Sequence, residues 1–234
     1  TYRGISSYDQ AITCLTTSVE VDPSFAQAHA ELGIAYRNRA DKLYAAPGDE
    51  GRREDEYEKA IEHLKQAAKL QPGNEEILGT LGGIYRRAKN YNRALTYYKQ
   101  VRAINAESSY AVGNIAILAW HEGDKANSLE AFKQTEELAT KHIDSGHSYE
   151  PFWDYYDRGM ARLVLRNKRN ALSDYRTAIE LTRSPEHFKS VVDGLRFFKE
   201  VEDRYPIDGL NEVLNMVTAA SVDAETRMVA KHVG

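Results

Sequence analysis

Self-similarity at an offset of 34 residues constrains this chain more than any other feature, because a fixed period dictates stacked copies of one small structural unit. "LGGIYRRAKNYNRALTYYKQV", beginning at Leu81, aligns with "IAILAWHEGDKANSLEAFKQT", beginning at Ile115. Gly82 then falls on Ala116, Ala94 on Ser128 and Tyr98 on Phe132, and stepping back by the same period from Ala94 and Tyr98 gives Ala60 and Leu64. The small residues have a physical purpose. Two antiparallel helices approach closely only where side chains are short, so Gly82 and Ala94 mark a helix crossing. Leu78, Leu81 and Tyr85 recur at helical spacing and form one apolar face, which Tyr98 and Val101 continue on a second helix. Between them "RAKNYN" supplies a short turn with Asn90.

This pattern resembles the tetratricopeptide repeat, a helix–turn–helix unit with a small residue in each helix and aromatic fillers. Residues 75–108 carry the resemblance most fully, through Leu78, Leu81, Gly82, Tyr85, Ala94 and Tyr98, with Ala106 where the family often has a proline. The resemblance implies an all-α fold, an α-α superhelix or solenoid of antiparallel helix pairs.

The register divides the chain. Residues 1–25 read as the second helix of a truncated repeat, through Ala11, Leu15 and Pro23; residues 26–74 as a repeat carrying a 15-residue insert; and residues 75–108 as a regular one. Residues 109–151 read as a repeat with a longer second helix and loop, residues 152–184 as a degenerate copy (Gly159, Ala171, Tyr175, Ala178), and residues 185–234 as capping helices. The insert follows from spacing: Gly33 to Ala60 is 27 residues where Gly82 to Ala94 is 12. Within "KLYAAPGDEGRREDE", residues 42–56, the first half prolongs a helix, Pro47 and Gly48 make a turn, and the acids open the next helix. The expectation is an extended helical hairpin projecting about two turns beyond its neighbours. It reads as a docking knob or as an insertion tolerated at an exposed edge.

Composition narrows function. The 31 Lys and Arg against 35 Asp and Glu give a formal charge of −4, which argues against nucleic acid as a partner. No apolar run suggests a membrane span. The single cysteine, Cys14, rules out an intrachain disulfide and fits a reducing, cytoplasmic setting. Its place between repeat positions makes a buried, inert thiol the expectation. No phosphate loop, HExxH or GxSxG motif is present, and His142, Asp144 and His147 match no zinc spacing, so the reading is not an enzyme, with no cofactor and no metal. The chain reads as a fragment of a larger protein, with a possible dimer through the truncated N-terminal repeat.

What remains is a surface. The resemblance implies a concave face lined by first helices, and the positions here offer Arg37, Arg86, Tyr110, Asn114, Trp120, Trp153 and Tyr156 as partner-binding residues. Aromatics and arginines suit binding hot spots; the competing reading packs some of these aromatics against the closing helices. Ala30 and Ile34 stand where some family members place Lys and Asn to hold an acidic peptide terminus, so that clamp is not expected. The functional expectation is a protein–protein interaction scaffold receiving a peptide or partner segment, or another domain of the full-length chain. The alternatives are a regulatory or sensor array of a signalling enzyme (kinase, cyclase or NTPase) lying outside these residues, and an RNA-binding helical repeat.

Overall fold

A computed structural model describes residues 2–43, 48–146, 148 and 150–231, and among these residues helices and their connecting turns account for the whole structure, with no strand. Two compact units divide the chain, Thr1–Ala106 and Glu107–Gly234.

In the first unit, α1 (Tyr2–Val21) packs on α2 (Ala26–Leu43), α2 pairs with α3 (Glu50–Leu70), and α4 (Glu75–Arg87) pairs with α5 (Tyr91–Ile104). The small residues act where the spacing puts them. A Cβ on Gly82 would stand 2.6 Å from the Tyr98 ring, and one on Gly33 would stand 2.6 Å from Leu64 Cγ. Tyr98 and Leu64 are fully buried as a result. The starts of α4 and α5 have a local cause. Asn74 and Asn90 are N-caps whose side chains accept from the Ile77 and Arg93 amides, satisfying donors that the first turn leaves open.

The insert makes long helices. α2 and α3 have 18 and 21 residues against 13 and 14 in α4 and α5, so the hairpin is more than a turn longer on each side. Gly48 takes a positive φ of 94°, as its turn requires; Pro47 lies outside the described residues. Cross-links hold the two helices together: Arg39 grips Glu56 through two hydrogen bonds of 2.7 and 2.8 Å, and the Tyr57 hydroxyl donates to Asp41 at 2.6 Å. Cys14 corrects an expectation, because its thiol is exposed. Ile12, Leu15 and Val19 form the α1 seam against Leu32 and Ala35, and Cys14 falls between them on the outward side.

In the second unit, α6 (Ser109–Glu122) pairs with α7 (Lys125–Ser145), and α8 (Pro151–Val164) pairs with α9 (Lys168–Leu181). The third crossing substitutes a hydroxyl for a methyl: Ser128, wholly buried, donates to the Ala116 carbonyl at 2.8 Å, so the polar atom is satisfied. Gly159 repeats the Gly82 arrangement, its imagined Cβ 2.9 Å from the Tyr175 ring. Helix α7 runs 21 residues and ends at Gly146 in the left-handed region. Two further helices close the unit, α10 (Pro185–Lys199) and α11 (Leu210–Lys231). One core joins them to the pairs: Phe188, Val192, Leu195, Phe198, Leu210, Val213 and Val217 are buried with Phe132, Phe152 and Tyr175.

Candidate partner-binding surface

The first helices of the pairs are α2, α4, α6 and α8. In the first unit, Arg37 on α2 donates through Nε and Nη2 to Asn38 Oδ1, at 3.1 and 2.6 Å, so its charge is drawn along its own helix. Arg86 lies in the last turn of α4, where the helix dipole favours a cation, and is only 9% exposed. Arg87, beside it, approaches Asp41 at 4.0 Å. The two arginines singled out in the sequence are therefore engaged with or enclosed by their own unit.

In the second unit, Tyr110 opens α6 and is 42% exposed, a large ring offered to solvent. Asn114, one turn on, is buried and donates from Nδ2 to the Tyr110 carbonyl at 2.9 Å. Trp120 and Tyr156 depart from the expectation of a free aromatic groove. Trp120 is 7% exposed and meets Tyr205 edge-on at 5.8 Å; Tyr156 is 4% exposed against Tyr175. Burial pushes the Tyr156 phenol up to about 12. Both are packing side chains here: Tyr205, beyond α10, covers Trp120, and Tyr175 of α9 covers Tyr156. Trp153 is half-buried, donates to Glu150 at 3.2 Å and lies 5.3 Å from the His187 ring of α10.

A polar cluster joins α6, α7 and α8, and sequence reasoning missed it. His142 Nδ1 lies 2.9 Å from Asp154 Oδ1, and the Ser109 hydroxyl donates to Asp157 at 2.8 Å. Loss of hydration pushes the Asp157 carboxyl up to about 7. The Ser109 hydrogen bond opposes that rise, and the Asp154 charge nearby adds to it. Its members come from three helices, and no short motif could have announced them. His142 is thus engaged with Asp154, while His147 lies outside the described residues. Among the described residues no three metal-ligating side chains converge, and no helix is long and apolar enough to cross a membrane.

Comparison with known proteins agrees with this architecture. Two family models, each described as tetratricopeptide repeat, match residues 1–75 and 52–115. This chain belongs to the tetratricopeptide repeat proteins. Among curated tetratricopeptide relatives, anaphase-promoting complex subunit 3 of Schizosaccharomyces pombe is 24% identical over 51% of this chain and 21% of its own length. Anaphase-promoting complex subunit 6 of Arabidopsis thaliana is 27% identical over 77% of this chain and 30% of its own length. The chain thus spans less than a third of either relative. Among solved structures, Pseudomonas aeruginosa PilF is 19% identical with a TM-score of 0.51, covering 98% of this chain and 92% of that one. That likeness is one of fold.

Proposed function

We propose that this tetratricopeptide chain is a protein-interaction scaffold that receives a peptide or partner segment on the face of its first helices. The observation that carries the reading is Tyr110. The aromatics of the helix crossings, Tyr98, Phe132 and Tyr175, are wholly buried, whereas Tyr110 stands 42% exposed on a first helix. An exposed ring at the start of a rigid helix offers a large contact area at small entropic expense, which is the character of a binding hot spot. The curated relatives support the reading in kind, since both are named as subunits of a complex.

The test is a capture experiment from native lysate with the wild-type chain and with Tyr110→Ala, each verified as folded by its melting curve. The expected result is a partner held by the wild type and reduced at least tenfold with the variant, in line with a hot-spot loss of about 2 kcal/mol or more. Equal retention by both chains would remove Tyr110 from the interface and the reading with it.

A further inference from the structure

Helix α10 breaks the repeat pattern. The first helix of a next pair would continue the stack from α9, but here α11 is the helix that packs on α9, and α10 lies across α6. Ring contacts trace its path. Near its start, His187 stands 5.0 Å from Phe152 and 5.3 Å from Trp153, both in the first turn of α8. Near its end, Phe197 stacks on His121 of α6 at 4.3 Å, and Glu200 just beyond the helix reaches His121 Nε2 at 3.4 Å. Beside Phe197, Phe198 meets Phe132 of the second helix α7. The helix thus runs from the start of α8 to the end of α6 and also touches α7.

It lies there as a helical ligand lies in a groove. Phe188, Val192, Leu195 and Phe198 follow one another at spacings of four, three and three and are all buried, the anchor pattern of helix-in-groove recognition. Its seat is nonetheless imperfect. His187 Nδ1 is enclosed there without a hydrogen-bond partner, an expensive condition for a buried polar atom. Gly194 sits inside α10, where glycine weakens a helix, yet a Cβ at this position would meet nothing within 4 Å. Packing does not demand that glycine, and its effect is to lower the stability of α10.

We propose that the α6–α8 face is a helix-receiving surface occupied in cis by α10, and that the partner binds by presenting an amphipathic helix with the α10 pattern in its place. This rests on the interaction-scaffold reading and specifies both its partner class and its regulation. Self-occupancy divides the intrinsic affinity by the fraction of molecules with the face open. Substitutions on α10 that touch no ligand therefore tune binding in both directions.

The experiment uses the full chain, a labelled synthetic peptide of residues 184–206, and two variants of opposite effect. Phe197→Ala removes the ring stacked on His121 and loosens α10. Gly194→Ala strengthens α10 by roughly 1 kcal/mol of helix propensity, about fivefold in its equilibrium. Trp153 lies 5.3 Å from the His187 ring of α10, so tryptophan emission reports release of α10. The expected order of peptide affinity is Phe197→Ala above wild type above Gly194→Ala, with red-shifted emission in the first. Equal affinities, or no binding to a Phe197→Ala chain whose emission shows α10 released, would overturn the proposal. So would Phe197→Ala unfolding the whole unit in one step, because α10 would then be core and not occupant. A dimer formed on release, seen by sedimentation, would assign the face to a second copy and overturn the partner assignment. A partner lost with Tyr110→Ala but indifferent to Gly194→Ala would leave the scaffold reading standing and remove only this one.

Discussion

Single residues carry the repeat because helix crossings leave no tolerance. Gly82 admits the Tyr98 ring, and any Cβ there would have to push the ring aside; this is why a one-letter pattern could be read directly as a contact. Asp157 is the opposite case, a residue whose behaviour depends on neighbours from α6 and α7. Its carboxyl titrates near 7 in the folded chain against an ordinary 3.8. Between those values the folded state holds a proton that the unfolded state has lost. Its contribution to stability is therefore full below about pH 4 and disappears as pH rises through 7. Asp157→Asn should remove this dependence: urea melts from pH 4 to 8 would show the variant gaining on the wild type toward alkaline pH. Parallel curves for the two chains would show that hydration of Asp157 survives folding. His142 and Asp154 stand in the same cluster, so the comparison between the two chains, not the slope of either, is the measurement.

At the scale of elements, length and docking were legible to different degrees. The 15-residue excess between Gly33 and Ala60 led to long helices, and α2 and α3 have them, because an insertion between two in-register crossings has to be absorbed by the hairpin between them. The fate of Trp120 and Tyr156 was not legible. Periodicity tells that a face is apolar, but not which later segment covers it: here Tyr205 beyond α10 covers Trp120, and Tyr175 of α9 covers Tyr156. Cys14 failed for a related reason: Ile12, Leu15 and Val19 make the α1 seam, and Cys14 lies off it, exposed. The long hairpin carries its own test. Arg39 holds Glu56 by two hydrogen bonds and reaches Asp9 of α1 at 2.5 Å, so Glu56 is the partner that ties α3 to the other two helices. Glu56→Gln should lower stability by about 1–3 kcal/mol, the range for a hydrogen-bonded charged partner lost at a partly buried site. A change below a few tenths of a kcal/mol in denaturant melts would mean that solvent replaces the carboxylate without loss.

For the whole molecule, the division into two compact units makes stability a matter of neighbours. In repeat proteins each pair is stabilised by its own crossing and by the pairs it touches, so damage spreads by contact and not through a single core. The position that tests this is Gly33. An added Cβ would meet Leu64 Cγ at 2.6 Å and the Ala60 carbonyl oxygen at 2.9 Å, and the second of these is backbone that has no rotamer to yield. Gly33→Ala should therefore force α2 and α3 apart locally and destabilise them by about 1–3 kcal/mol, the usual range for overpacking. The penalty should appear where α2 and α3 make their contacts, in α1 and α4. Amide hydrogen exchange resolves the question helix by helix. Protection should fall in α2 and α3, fall less in α1 and α4, and stay at its wild-type level in α8 and α9. Equal loss of protection in α8 and α9 would show one cooperative fold in place of neighbour-by-neighbour stability, and a ligand at either unit would then be felt through the entire chain.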